Sequence, residues 1–220
     1  MDTFIRASEL PREGREYLIE EIRPGTATLV YGQVELLEKA LYRLVSAWAS
    51  SGERSLIVSF VDYHESQVID TYTLAEYMLS ENMDPEAGLK LVYLATLYNK
   101  RQAVSLDYKR VLDHVRPGVV ALYRVSRLFK HAEYPLLLSA LSRAREVMMR
   151  GLPLVVFVDE SQSRRGLPEG PAYLLHFSST VIRLKGLRGG YIEASLVKSP
   201  WRRERSEFFE SNIRAVEGWF

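Results

Sequence analysis

Apolar positions along this chain follow two periods in alternation, about 3.6 residues in long stretches and continuous short runs between them. Thr26 to Tyr31 (TATLVY) is a β-rich run, and Val34 to Ala49 follows with Leu36, Leu37, Ala40, Leu41, Leu44, Val45 and Trp48 on one helical face. The rhythm continues: Ser55 to Val61 predicts a strand, Gln67 to Leu79 a helix, and Leu89 to Leu94 a third strand. Next come a helix from Gln102 to His114, a strand from Gly118 to Tyr123, a helix from Pro135 to Met149 and a strand from Leu154 to Val158. Strands alternating with helices of this length predict an α/β fold with a mostly parallel sheet covered on both faces. From Ala172 the pattern changes. Tyr173 to Leu184 and Tyr191 to Lys198, joined across Lys185 to Gly190 with glycines at the turn, predict a C-terminal antiparallel hairpin. No linker, repeat or low-complexity tract interrupts residues 1–220, which read as one domain.

Composition narrows the chemistry. The 220 residues are 47% hydrophobic, enough for one substantial core. No run approaches a membrane span, and Met1 to Leu10 has neither a basic start nor a small-residue cleavage site, so the expectation is a cytoplasmic protein. Cysteine is absent, which excludes thiolate metal sites and cysteine nucleophiles. His64, His114, His131 and His176 have no ligand-like spacing, so neither a metal nor a cofactor is expected. Scarce Asn and Gln beside plentiful Arg, Glu and Tyr fit a heat-adapted source. A net charge of +1 speaks against a strongly basic nucleic-acid binder, although a local cluster can still hold phosphates.

Open α/β sheets bind ligands beyond the carboxyl ends of their strands, so the first strand-to-helix turn is the place for a nucleotide. It reads Tyr31-Gly32-Gln33-Val34-Glu35-Leu36-Leu37-Glu38-Lys39-Ala40. A phosphate-binding loop needs G-x-x-x-x-G-K-S/T. Its glycines let backbone N–H groups curl around phosphate, its lysine neutralises the β and γ oxygens, and its hydroxyl holds magnesium. Only Gly32 matches. Leu37 stands for the second glycine, Glu38 for the lysine and Lys39 for the hydroxyl. Shifting the register by one residue puts Lys39 in the lysine position, but Ala40 then follows and Glu38 replaces glycine. A carboxylate where a polyanion should sit adds like-charge repulsion. An ordinary βα turn would account for the same residues.

The order of several segments resembles the ATPase core of archaeal RadA recombinases and their paralogs over about the whole chain. Thr3 to Leu10 (TFIRASEL) is similar to the segment preceding that core, including its F-x-x-A motif, within a tail or linker of residues 1–20. Glu21 to Gly32 resembles the approach to the Walker A strand. Met83-Asp84-Pro85-Glu86, Val92 to Ala95 and Tyr98-Asn99 resemble the passage into the third strand, and Ala194 to Pro200 the closing strand. The resemblance implies a RecA-like fold.

It also exposes departures. Val119 to Phe129 resembles the Walker B region, with Tyr123 where the magnesium-orienting aspartate would be. The catalytic glutamate of the family follows the second strand, where Asp62 or Glu65 could keep a carboxylate. Asp159 and Glu160 end the fifth strand at a nucleotide-sensing place. Adjacent residues there point apart, so they read as solvated charges beginning a loop rather than a catalytic pair. The expectation is a protein without ATPase activity.

What the resemblance leaves is binding. It implies that Phe4 and Ala7 plug into a pocket on a RadA-like recombinase or another paralog, giving an oligomer or hetero-complex that acts in DNA recombination and repair. An aromatic anchor of this kind is worth roughly 2–4 kcal/mol. It also implies single-stranded DNA contact through loops after the fourth and fifth strands. Lys130 lies in the first and Arg164 and Arg165 in the second, with Arg202 and Arg203 as further candidates. Two or three phosphate contacts would be weak and salt-sensitive. Arg202 to Arg205, with Glu204 and Glu207 alternating, reads at least equally well as a solvated charged turn. Trp219 and Phe220 either fold onto the core or meet a partner. Two other readings remain open: an NTPase with an unorthodox site using Lys39 and Asp62, and a structural partner of a RecA-like ATPase outside recombination.

Overall fold

The computed structural model describes residues 21–61, 69–188 and 190–210. Eight strands form one sheet in the order β3-β2-β4-β5-β1-β6-β7-β8: β1 (Ala27–Gly32), β2 (Ser55–Phe60), β3 (Val92–Leu97), β4 (Val119–Tyr123), β5 (Leu154–Asp159), β6 (Thr180–Gly186), β7 (Tyr191–Lys198) and β8 (Arg205–Glu210). The first six strands run parallel, and β7 and β8 return antiparallel, as the change of pattern after Ala172 predicts. β1 and β5, at the centre, are apolar almost throughout because helices cover both of their faces.

Two helical layers enclose the sheet. On one face, α1 (Val34–Ser50), α2 (Thr71–Ser80) and α3 (Pro85–Leu89) bury Leu37, Leu41, Tyr42, Tyr77 and Met78 against Ile57, Tyr123 and Phe157. On the other, α4 (Lys100–Ser105), α5 (Tyr108–Val115), α6 (Tyr134–Met149) and α7 (Tyr173–Phe177) close over Leu29, Val58, Leu122 and Val156. Capping by side-chain oxygens sets where four of these helices begin: Asp70 accepts from Tyr72 N–H, Asp84 from Glu86 and Ala87 N–H, Asn99 from Gln102 N–H, and Asp107 from Arg110 N–H.

Two of those caps, Asp84 and Asp107, explain departures from the sequence pattern. The helix expected over Gln102 to His114 is two helices, because Asp107 caps a new start in mid-pattern. Asp84 with Pro85 nucleates α3, which takes Leu89, so the third strand begins at Val92 rather than there. Tyr173 to Phe177 is a short helix and only Thr180 onward is strand. Beyond the charged stretch Arg202 to Arg205, Arg205 to Glu210 forms the strand β8, which the pattern does not predict, paired to β7 along its length. The tail of residues 1–20 lies outside the described residues, with Phe4 and Ala7. Among the described residues, no helix is long and apolar enough to cross a membrane.

Candidate functional site

The carboxyl ends of β1 to β6 all lie at one edge of the sheet, and the turn from β1 into α1 sits in the middle of that edge. A single residue, Gln33, separates the strand from the helix. Leu36 and Leu37 already donate their N–H groups to the Gln33 carbonyl. Leu37, Glu38 and Lys39, which the comparison with a phosphate-binding loop sets in its glycine, lysine and hydroxyl places, are all helical, as the periodicity from Val34 to Ala49 predicts. Leu37 is fully buried in the apolar core and Lys39 half-buried. Gly32 has a structural reason to be glycine. A Cβ there would stand 2.5 Å from the Leu184 carbonyl oxygen of β6, so its role is to let β1 and β6 approach.

Glu38 is engaged within the fold. The Tyr42 hydroxyl donates to Glu38 Oε1 at 2.8 Å and accepts from the Asp70 N–H at 2.8 Å, joining α1 to the start of α2. Burial, then the bond to Glu38, pushes the Tyr42 hydroxyl far above its usual value. Tyr42 meets Tyr77 edge to face at 5.6 Å between ring centroids, and Tyr123 meets Phe157 likewise at 6.2 Å. Tyr123, where the resemblance implies an aspartate, is a buried aromatic. Burial first, and then the nearby Glu38 carboxylate, raises its hydroxyl well above the ordinary range.

Arg124 follows at φ +57°, a left-handed conformation that costs an arginine about 1–2 kcal/mol. Its guanidinium is almost fully buried and forks onto Asp159, with Nε to Oδ1 at 3.3 Å and Nη2 to Oδ2 at 3.2 Å. Glu160 turns the other way. Its Oε1 accepts from Arg183 Nη2 of β6 at 2.7 Å and from the Gly166 N–H at 2.6 Å. The two carboxylates do point apart, but the expectation that they are solvated is wrong, because each holds a buried or half-buried arginine. Nor is the Arg164–Arg165 loop loose. Arg164 Nη2 donates to the Gly170 carbonyl at 3.0 Å, the Tyr31 hydroxyl donates to the Gly166 carbonyl at 2.9 Å, and Glu169 N–H donates to the Asp159 carbonyl at 2.7 Å.

Among the described residues, two clefts bear on this edge. One, of about 640 Å³, is built by the segments that follow β3 and β4, the two neighbours of β2, and is lined by Tyr98, Lys100, Arg101, Arg127, Leu128 and Lys130, with Asn99. The other, of about 420 Å³, lies beyond β4 and β5, shares Arg127, and is faced by Asp159, Glu160 and Glu169.

No family model matches the chain and no curated protein matches it. Among solved structures, one described as the crystal structure of the RadB recombinase is 17% identical and superposes with a TM-score of 0.69 over 93% of this chain and 96% of that one. The fold is RecA-like.

Within that RecA-like edge, the predicted residues separate. Gly32, Glu38 and Tyr123 converge around the β1 turn, while Asp62 lies outside the described residues. Of the DNA candidates, Lys130 lines the basic cleft, and Arg165 and Arg203 are exposed. Arg202 is spent elsewhere, lying 3.2 Å from the fully buried Glu21 carboxylate, with Arg205 at 3.8 Å. Those contacts are ionic and lack hydrogen-bond geometry. The reading of Arg202 to Arg205 as a solvated charged turn holds for Arg203 and Glu204, which are exposed, while Arg202 and Arg205 lie against a buried carboxylate. The pattern missed Arg124 and Tyr42, because nothing in the sequence around them marks a left-handed turn or a bridging hydroxyl. It also missed Lys100 and Arg101, which only the fold brings beside Lys130. Among the described residues, no cluster of His, Asp or Glu is arranged to hold a metal ion.

Proposed function

We propose that this chain is a non-catalytic RecA-fold protein that works by binding a recombinase or a sister paralog in DNA recombination and repair. One observation carries the non-catalytic part. The turn that would wrap the phosphates is the single residue Gln33, and the N–H groups of Leu36 and Leu37 already donate to its carbonyl. The absence of a carboxylate at Tyr123 supports it, because nothing at that strand end would orient magnesium. The 17%-identical RadB recombinase structure supports the recombination setting by analogy of fold.

Binding in trans is supported by the free edge of the sheet. Among the described residues β3 pairs only with β2, and its six residues, VYLATL, carry no charge to discourage pairing with another chain. DNA contact is secondary in this reading, because Arg164 and Arg202 are committed to internal partners.

Two measurements test the proposal. Titration of a fluorescent ATP analogue with magnesium should give no saturable binding, whereas micromolar binding with turnover would establish the unorthodox NTPase. A pull-down against a RadA-type recombinase should lose capture when Phe4→Ala and Ala7→Glu are combined. Unchanged capture removes Phe4 and Ala7 as the docking motif, and capture of a RecA-like ATPase outside recombination instead would move the protein to that setting.

A further inference from the structure

We propose that the cleft built by the segments that follow β3 and β4 is a docking site for a short acidic, aromatic-bearing segment of a partner protein. This inference is independent of how the nucleotide site is read. Four cationic side chains, Lys100, Arg101, Arg127 and Lys130, line the cleft, and no carboxylate is among its described lining residues. The segments after two separate strands supply them, so the charge is gathered by the fold and not by one basic run.

The chain itself shows which anion these donors suit. Glu133 lies beside the cleft, its Oε1 accepting from Lys100 Nζ at 2.5 Å and its Oε2 from the Lys130 N–H at 2.9 Å. The bond from Lys100, then that from Lys130 N–H, holds the Glu133 carboxyl below the usual carboxylate range. Arg101 and the Lys130 side chain remain exposed beside this carboxylate-holding arrangement. Tyr98, 44% exposed, and the buried Leu128 add an apolar wall against which one aromatic or aliphatic side chain would pack. Aromatic anchors with charged neighbours are the usual form of a peptide hot spot.

Charge outside the cleft separates a peptide from a nucleic acid. A phosphodiester strand carries a negative charge at every step and needs a basic track. Here the basic cleft gives way, across Arg127, to the cleft faced by Asp159, Glu160 and Glu169. A continuing strand would find no cation beyond Arg127 among the described lining of that second cleft, whose Asp159 and Glu160 are already paired with Arg124 and Arg183, and the whole chain has a net charge of only +1. A short acidic segment ends inside the cleft, whose volume of about 640 Å³ lies in the range of small-ligand sites.

The test is selection from a random-peptide display library on the full chain, run in parallel on Arg101→Gln/Lys130→Gln, two exposed substitutions that remove cleft charge without placing a new carboxylate beside the Lys100–Glu133 pair. The expected result is enrichment of sequences with several Asp or Glu and one aromatic residue on the native chain only. A synthetic peptide of that consensus should bind with an affinity that falls with salt, drops at least tenfold on the double variant and severalfold on Tyr98→Ala, with thermal melting unchanged in both. No enrichment, a neutral or basic consensus, or undiminished binding to the double variant overturns the proposal. Labelled oligothymidylate lost on the same double variant, without acidic peptides enriched, assigns the cleft to nucleic acid instead.

Discussion

The residues that carry most of the local argument are those whose chemistry opposes their position. Arg124 accepts a left-handed backbone and near-complete burial, and Asp159 offsets both. Removing one member of such a pair leaves a buried charge alone, which costs about 3–5 kcal/mol, while exchanging both for apolar groups costs far less. Arg124→Ala should therefore lower stability by roughly 3 kcal/mol in urea unfolding, and Arg124→Ala with Asp159→Leu should recover much of that. Glu133 gives a pH-dependent counterpart. Lys100 and the Lys130 N–H depress its pKa in the fold, so its contribution is present above the unfolded-chain value of about 4.3 and is lost as pH falls through the folded value. The melting temperatures of the native chain and Glu133→Gln should differ at neutral pH and converge in acid. A gap that persists in acid would mean that the carboxylate charge is not what Glu133 contributes.

At the scale of elements, Gly32 tests why the first turn looks as it does. A methyl group at this position would press on the Leu184 backbone, and neither strand can yield without disturbing the sheet. Gly32→Ala should cost about 1–3 kcal/mol of stability through overpacking, whereas a relic phosphate glycine would tolerate it. The same turn shows what sequence can and cannot convey. Strands β1, β2, β4 and β5 and helices α1 and α6 were legible because long periodic or continuous apolar runs mean burial whatever the tertiary context. The Gly32, Glu38 and Tyr123 neighbourhood was legible by alignment to a phosphate-loop pattern, but its geometry was not. A motif comparison keeps the pattern's spacing and reads substitutions, whereas the chain here has a one-residue turn with α1 starting directly after it. β8 was hidden because Arg205 and Glu207 mark it as polar. Pairing to β7, with Arg205 lying against both Glu21 and Glu207, turns those charges to structural use. The basic cleft was half visible: Lys130 stood out, while Lys100 and Arg101 sit about thirty residues earlier, on an element the pattern placed differently.

For the whole molecule, the question is whether magnesium-ATP is a ligand of the folded state at all, and linkage gives a measurement that needs no label and no turnover. A ligand that binds only the native state adds RT ln(1 + [L]/Kd), about 4 kcal/mol when its concentration is about a thousandfold above Kd. For a domain of this size, each kcal/mol moves the melting temperature by about 2–4 °C. A nucleotide site of micromolar affinity would thus raise the melting temperature by roughly 8–16 °C at millimolar ATP and magnesium. With Gln33 as the entire turn, Glu38 bound to Tyr42 and Tyr123 packed on Phe157, the expected shift is zero within a degree. Tyr123→Asp should not create a shift, because restoring one carboxylate leaves the turn too short to surround phosphate. It should instead destabilise the chain by burying a charge beside Glu38 and Asp159. A rise of several degrees in the native protein, abolished in the Tyr123 variant, would show that this edge of the sheet holds nucleotide by an arrangement unlike a phosphate loop.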